Sequence, residues 1–353
     1  MMLRLELVRL LSKPRRISQM KLWVLELLVC PRCAGEVALR LDGEKSSGDD
    51  VIEGRLSCPS CGCAYPITNG IPRFVGADEN YAENFGYQWQ LFSAAQIDRL
   101  GGHGLSGARL LNDTKWEPAW ISGKIILDAG CGAGRFADEL AQAGARVVAC
   151  DLSSAVDACK ATAGETAGHS NNRGEVTVIQ ANLLALPFKP GVFDAVHCAG
   201  VIQHTPEPAK IMQSLPAYLK SSGRLFYNFY EKVPSAKFQI VRNLLRLTTP
   251  GWEFSKLVAF CRWLCWIFFI PSWIMSRIRV VRYFNRFLPI CSVHPPGLSL
   301  RQQFLLTWLD TVDWYGPTYE IRQDHKNVAR LLMEDESLEQ IEADAGRAWA
   351  VRQ

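Results

Sequence analysis

This chain of 353 residues has little net charge and lacks several signals of specialised protein classes. With 39 Lys and Arg against 35 Asp and Glu, its net charge of +4 is too small to indicate a nucleic-acid partner by itself. No internal repeat or low-complexity tract stands out, and the hydrophobic content of 48% is ordinary for a globular chain. Residues 1–21 are basic but contain no hydrophobic signal core, so we expect a disordered arm there, or a start at Met20.

The dinucleotide-binding spacing G-x-G-x-x-G is also missing, although the chain contains a glycine-rich turn. An apolar run reaches Asp128, and Gly130, Gly132 and Gly134 follow in a G-x-G-x-G pattern with Arg135 after them. This pattern predicts a strand, a tight turn and a helix N-terminus, where backbone can approach a nucleotide-like ligand. The acid before the turn would repel a pyrophosphate, and it suits a ligand with a cationic end.

Further strands alternate with helical stretches after this turn. The strand at 145–150 ends at Asp151, about 20 residues past the glycines, where an acid is placed to bind ribose hydroxyls. The strand at 176–181 ends at Asn182, and two more strands are predicted at 192–198 and 223–229. Such alternation predicts right-handed crossovers, a parallel sheet and a ligand at the carboxyl ends of its strands.

The glycine turn and the two acids resemble the motifs of class I S-adenosylmethionine-dependent methyltransferases. The resemblance covers residues 22–230 well, and it implies an α/β fold with a seven-stranded Rossmann-like sheet whose last strand is antiparallel. It implies an S-adenosylmethionine site, with Asn182 where the family often has Asp. The cofactor-binding residues that it implies are Asp128, Gly130, Cys131, Gly132, Gly134, Asp151, Leu152, Asn182, Leu183 and Gly200.

The reaction expected of such a site is direct displacement at the sulfonium methyl, which mainly requires alignment of the reactants. His204, just after the fourth strand, is the first candidate for a general base, and the alternative is a loop histidine bonded to backbone. Two aromatic groups could close over the cofactor or line the acceptor pocket, and the alternative for both is ordinary packing. They are Tyr87 with Trp89, and Asp313 with Trp314 and Tyr315.

Two C-x-x-C pairs near the N-terminus are the second strong pattern. Cys30 and Cys33 are separated from Cys58 and Cys61 by 24 residues, which favours a four-thiolate structural Zn²⁺ site over a pair of disulfides. The surrounding residues resemble the small zinc-ribbon proteins that partner and activate methyltransferases. The resemblance implies that a similar ribbon is fused here to its own catalytic domain.

The segment from 231 to 320 is an apolar and basic insertion. Residues 232–301 contain 11 Lys and Arg but one acid, Glu253. Its apolar stretch at 257–275 is expected to be broken by Arg262 and Pro271 and to be too short to span a bilayer. We favour a helical cap over the active site. The alternative is an interfacial hairpin at 257–286 that dips Trp263, Trp266 and Trp273 into lipid headgroups.

These patterns predict one domain organisation and one leading function. The predicted parts are an arm (1–21), a zinc ribbon (22–76), bridging helices (77–120), a cofactor-binding core (121–230), a cap insertion (231–320) and a C-terminal helix and hairpin (321–353). We expect a methyltransferase for a small-molecule, sugar-linked or lipid-linked acceptor, in the cytoplasm or peripheral to the inner membrane face. The alternatives are an RNA methyltransferase, for which nucleic acid is the less favoured partner, and a non-catalytic scaffold.

Overall fold

The computed structural model describes residues 20–34, 40–47, 50–76, 83–167, 174–234 and 239–353, so most of the predicted N-terminal arm lies outside the described residues. Its largest sheet has seven strands, namely β6 (Ile125–Ala129), β7 (Arg146–Asp151), β8 (Glu175–Gln180), β9 (Phe193–Ala199), β10 (Leu219–Asn228), β11 (Leu338–Asp344) and β12 (Arg347–Arg352). Their order across the sheet is β11-β12-β10-β9-β6-β7-β8.

The sheet is parallel except for β12, which runs antiparallel to both of its neighbours. The central strands are buried on both faces, which explains why their sequences are continuous apolar runs instead of alternating ones. The final hairpin turns at Gly346, whose φ of 87° suits glycine. The predicted seven-stranded sheet with an antiparallel last strand is therefore confirmed.

A smaller sheet precedes the large one. It contains β1 (Met20–Lys21), β2 (Arg40–Ser47), β3 (Asp50–Ser57), β4 (Ala64–Thr68) and β5 (Ile71–Pro72). Leu28 forms a β-bridge to Phe188, and both side chains are buried in one apolar cluster with residues of β6, β7 and β9. The small sheet therefore shares a hydrophobic core with the large one.

Helices connect and cover these strands. They are α1 (Glu83–Gln96), α2 (Asp98–Gly101), α3 (Leu105–Thr114), α4 (Pro118–Ile121), α5 (Arg135–Gln142), α6 (Ala155–Ala167), α7 (Pro208–Ser214), α8 (Ile240–Leu245), α9 (Phe254–Ser276), α10 (Leu300–Tyr315) and α11 (His325–Met333). The helix α7 ends at Ser214. The chain continues as a 3-10 turn that contains Pro216, because proline cannot donate the next α-helical hydrogen bond.

The insertion contains one long helix, α9, so the expectation that Arg262 and Pro271 break its apolar stretch is wrong. Arg262 reaches back so that its guanidinium lies 5.4 Å from the Trp308 ring, and Pro271 lies on the exposed side. In the described part of the chain, α9 is the one helix long and apolar enough to cross a membrane by length and composition, so the expectation that this stretch is too short to span a bilayer is also wrong. Its inner face packs on α10 in a separate apolar cluster.

Candidate active site

The glycine turn joins β6 to α5 and can be built only from residues without a side chain. Gly130, Gly132 and Gly134 have φ values of 82°, 52° and 86°, in the left-handed region that glycine adopts without strain. A Cβ on Gly130 would lie 2.2 Å from the Val201 side chain, and one on Gly132 would lie 3.0 Å from the Trp89 indole nitrogen. The turn therefore keeps its backbone accessible at the edge of the sheet.

Asp151, at the end of β7, is tied to this turn. Its Oδ2 accepts a hydrogen bond of 3.0 Å from the Gly132 N–H, and its Oδ1 accepts two from the backbone and hydroxyl of Ser153. Burial raises the pKa of Asp151, and these three hydrogen bonds act against that rise. The carboxylate is thus held beside the turn, where the sequence predicted it.

Asp128 has a different environment from the predicted one. Its Oδ1 lies 2.8 Å from His197 Nδ1, and both side chains are buried behind the turn. Asp128 Oδ2 is buried with no hydrogen-bond partner in the described residues. The His197 ring in turn stacks on Phe226, with 5.4 Å between the centroids. Asp128 therefore stabilises the base of the turn, and its predicted contact with a cationic ligand stays a prediction.

A cavity of about 210 Å³ opens at the turn and gathers most of the predicted residues. It is lined by Gly130, Cys131, Gly132, Asp151, Leu152, Leu183, Gly200 and His204. Asp128, Gly134 and Asn182 are not among the described residues that line it. Gly134 begins α5, and the Asn182 side chain accepts a hydrogen bond of 3.0 Å from the Leu184 N–H instead.

The half of this cavity that lies farther from the glycine turn is polar, and the sequence analysis did not predict most of its residues. The Tyr230 hydroxyl donates to Asp313 Oδ2 over 3.0 Å, and Arg109 donates to Asn228 Oδ1 over 3.2 Å. The remaining charged or polar lining residues include Gln88, Arg135, Asp310 and Thr205. Asp313 was expected from its aromatic neighbours. Asp310, one helical turn earlier on α10, could have been found from its i,i+3 spacing.

The pKa values of several side chains in this half of the cavity are strongly shifted. Burial and, to a smaller extent, the nearby Asp313 raise the pKa of Asp310 to about 7, against the opposing effects of Arg135 and Arg109. Burial also lowers the pKa of Arg135 to about 10. Burial and the nearby Asp313 raise the pKa of Tyr230 well above its usual value. Clustered perturbations of this kind are characteristic of sites that move protons.

His204 lies between the two halves of the cavity. Its Nδ1 is 3.1 Å from the carbonyl oxygen of Tyr319, which can only accept, so Nδ1 carries the proton and Nε2 is the basic nitrogen. The ring meets Tyr230 edge-on, with 5.4 Å between the centroids.

The other aromatic candidates divide between the cavity and ordinary packing. Trp89 lines the cavity, whereas Tyr87 is exposed beside Phe254. The Tyr315 hydroxyl donates to the Pro289 carbonyl, and the Arg242 guanidinium lies 5.0 Å from the Trp314 ring. The packing alternative therefore describes Tyr87, Trp314 and Tyr315 better than a role in the cavity does.

The four predicted metal ligands converge in the small sheet. The Sγ atoms of Cys30, Cys33, Cys58 and Cys61 all lie within 4.8 Å of one another. The Cys30–Cys61 and Cys33–Cys58 Sγ distances are both 3.6 Å, too long for disulfides. They are close to the roughly 3.8 Å edge of a tetrahedron with Zn–S bonds of about 2.3 Å.

The thiol of Cys30 is polarised toward its ionised form. Burial opposes ionisation, but the Tyr65 hydroxyl, 3.1 Å away, and backbone N–H groups lower the pKa of Cys30 to about 6. Cys63 contacts Arg32 instead of joining this cluster. The donor set therefore fits a zinc ion, which binds thiolates.

Comparison with known proteins agrees with this geometry. The family described as "Methyltransferase domain" matches residues 127–227, and the family described as "Trm112p-like protein" matches residues 21–70. This chain joins a methyltransferase domain to a Trm112p-like domain. The class I methyltransferase with an N-terminal ribbon, predicted from the sequence, is confirmed at the level of these domains.

Named relatives cover only part of the chain. Two proteins called "Ubiquinone biosynthesis O-methyltransferase", from Azotobacter vinelandii and Xylella fastidiosa, are 30% and 32% identical over 41% and 46% of this chain. The chain spans 66% of the length of each, just under two thirds. A magnesium protoporphyrin IX methyltransferase from Synechocystis with bound SAH aligns over 76% of this chain and 86% of its own, with 16% identity and a TM-score of 0.38.

Proposed function

We propose that this protein transfers the methyl group of S-adenosylmethionine to a hydroxyl oxygen of a small, lipid-linked acceptor. The observation that carries the proposal is the continuous cavity from the glycine turn to the cluster of Tyr230, Asp310 and Asp313. One end offers a nucleoside site and the other offers groups that bind and deprotonate a hydroxyl. When bound, the cofactor supplies a methyl group already activated on a sulfonium.

The residues at the turn suit the nucleoside end. Asp151 presents carboxylate oxygens next to exposed backbone, as ribose hydroxyls require. Leu152 and Leu183 provide apolar surface for the adenine base at the same end of the cavity. The proposed cofactor contacts are therefore those of Gly130, Cys131, Gly132, Asp151, Leu152, Leu183 and Gly200.

The polar end suits an acceptor that loses a proton. Nε2 of His204 is the basic nitrogen of a ring held by Tyr319, and we assign it the hydroxyl proton. Tyr230 and Asp313, joined by their hydrogen bond, position the acceptor. Arg109 and Arg135 stabilise the negative charge that develops on its oxygen. The two relatives' names support an oxygen atom on a lipid-linked acceptor.

We further propose that the four cysteines hold a structural Zn²⁺. The small sheet is too short to bury a core alone, and a tetrathiolate site would join its two knuckles. Because this sheet shares apolar contacts with the large one, the metal would also support the catalytic unit.

Calorimetry with S-adenosylhomocysteine tests the cofactor site. Gly132→Arg should weaken binding at least about 100-fold, because the new side chain must leave the left-handed region or fill the turn. Gly251→Arg is the matched control, since a Cβ on Gly251 meets nothing within 4 Å. Binding that survives in the Gly132 variant would contradict the site.

The acceptor class needs a separate measurement. Lipid extracts and RNA from a deletion strain are incubated with the protein and methyl-labelled cofactor. We expect label in the lipid extract, lost in the Gly132 variant. Label in RNA would replace the lipid-linked acceptor with the alternative substrate, and cofactor binding without any transfer would favour the scaffold.

A further inference from the structure

The helix α9 exposes large apolar side chains on its outer face, although its inner face is also apolar. Outward positions carry Trp263, Trp266, Ile267, Ile270 and Ile274, all exposed, with Trp266 70% accessible. The buried inner face is apolar as well, with Leu257, Leu264 and Phe269 beside Cys261, Cys265 and Ser272. A helix that is apolar on all sides is normally buried on all sides, so the exposed outer face of α9 lacks the apolar environment that its residues favour.

The exposed face is long and continuous. Residues 259, 263, 266, 267, 270 and 274 fall within one side of the helix at 100° per residue and cover about 22 Å at 1.5 Å per residue. The following segment, 277–287, packs on the end of α9 through Asn285 Nδ2 and the Ser272 carbonyl, 3.3 Å apart. It adds Val280, Phe284 and Phe287 to the exposed apolar surface. Contiguous apolar surface of this kind marks an interaction site.

The charged residues around this face are almost all basic. Arg277, Arg279 and Arg282 follow the helix directly and are exposed, and Lys256 lies at its start. The one acid between residues 232 and 301, Glu253, is already paired with Lys256, 3.3 Å away. The partner surface must therefore accept large apolar side chains and carry negative charge.

The helix cannot cross a bilayer in this fold, because protein covers its inner face along its length. Cys261 and Cys265 contact Thr311, the Trp308 indole donates to the Val258 carbonyl, and Ser272 bonds Ser292. A spanning helix would expose those groups to lipid. If the helix lies in the plane of the membrane surface, its inner face stays packed on protein while its outer face contacts lipid.

We propose that the outward face of α9, together with residues 277–287, binds the surface of an anionic lipid bilayer. The tryptophans and isoleucines enter the headgroup and upper acyl region, and the arginines contact lipid phosphates. The same insertion supplies Asp310 and Asp313 of α10 to the cavity. Docking would bring the cavity to the membrane surface, where an amphipathic acceptor resides.

Co-sedimentation of the full chain with vesicles tests the surface without requiring methyl transfer. The vesicles are phosphatidylcholine alone, or phosphatidylcholine with about one third phosphatidylglycerol. We expect the anionic vesicles to bind at least about tenfold more protein, and high salt to reduce the difference. Absence of binding to anionic vesicles would overturn the proposal, whether or not the protein proves to be a methyltransferase.

Variants locate the binding face. Trp263→Ser with Trp266→Ser should reduce partitioning about tenfold or more. Arg279→Gln with Arg282→Gln should reduce binding to anionic vesicles by about tenfold to thirtyfold and leave phosphatidylcholine binding unchanged. Leu111→Ser with Met333→Ser, exposed apolar residues of α3 and α11, is the matched control and should bind as wild type.

Two further results would overturn the assignment. The first is wild-type binding by the tryptophan variant. The second is an oligomer in light scattering that the tryptophan variant converts to a monomer, which would make a second copy the occupant of the face. Circular dichroism and S-adenosylhomocysteine affinity should be unchanged in every variant, because none of these residues lines the cavity.

Discussion

At the scale of single residues, Asp310 makes the protein's stability depend on pH. Its pKa is raised from 3.8 to about 7, chiefly by burial, so the folded protein retains a proton that the unfolded chain releases above about pH 4. The resulting stabilisation is complete below pH 4 and is lost as the pH rises to 7. Asp310→Asn removes this loss, because the amide does not ionise.

We therefore expect the stability of Asp310→Asn, relative to wild type, to increase by about 3 kcal/mol from pH 5 to pH 8. Urea unfolding at the two pH values measures the difference. Asp42→Asn, at an exposed position, should show no such change. An equal stability difference at both pH values would mean that Asp310 is ionised throughout.

His204 is the proposed general base. His204→Gln should lower kcat by about 10²- to 10⁴-fold, the usual contribution of a general base, and leave cofactor affinity within a factor of about two. His325→Gln, which changes a half-buried histidine paired with Glu231, is the control and should retain activity. A rate near that of wild type for His204→Gln would assign the proton to another group.

At the scale of elements, α9 tolerates a proline that costs it a hydrogen bond. Pro271 is exposed and has no N–H to donate to the carbonyl of Ile267. Pro271→Ala should raise the free energy of unfolding by about 2 kcal/mol, as measured by denaturant titration. Pro118→Ala in the first turn of α4 should give no comparable gain, because a helix leaves that N–H unpaired. A loss of stability in Pro271→Ala would contradict this account.

The ribbon is expected to need all four of its clustered cysteines to hold a metal ion. Cys30→Ser should release the proposed zinc and lower the thermal unfolding temperature, because three thiolates hold the ion poorly and Cys30 is also the buried partner of Tyr65. Metal analysis by mass spectrometry measures the zinc content. Cys63→Ser, outside the cluster, should retain the metal. Equal zinc in both variants would exclude the four-cysteine site.

The sequence predicted those strands and turns that depend on residues close together along the chain. The strand before Gly130 and the acid at Asp151 follow from spacing along the chain, and the structure places both at one sheet edge. Most of the polar half of the cavity could not be predicted in this way, since Arg109, Tyr230 and the acids of α10 come from distant parts of the chain. The continuity of α9 through Pro271 depends on packing against α10, which the sequence of α9 does not show.

At the scale of the whole molecule, hydrogen bonds connect the ribbon to the proposed cofactor site. Arg73 donates to Gln180 Oε1 over 2.8 Å, and Gln180 Nε2 donates to the carbonyl of Leu152 over 2.9 Å. Arg73 also pairs with Asp157 on α6, 2.8 Å away. Leu152 lines the cavity, so these hydrogen bonds connect a residue of the ribbon to the wall of the proposed nucleoside pocket.

Arg73→Ala should therefore weaken S-adenosylhomocysteine binding about five- to tenfold, although Arg73 does not line the cavity. Calorimetry measures the change, and Arg55→Ala, an exposed arginine of β3, is the matched control. Equal affinities for the two variants would show that the ribbon supports the fold without reaching the pocket.

The β-bridge between Leu28 and Phe188 lies inside a single covalent chain. An activating subunit supplied as a separate polypeptide dissociates when its complex is diluted, whereas a tethered one meets its partner at a fixed effective concentration. Specific activity of this protein should consequently stay constant across dilution. Every molecule made therefore contains the ribbon and the methyltransferase domain in a ratio of one to one.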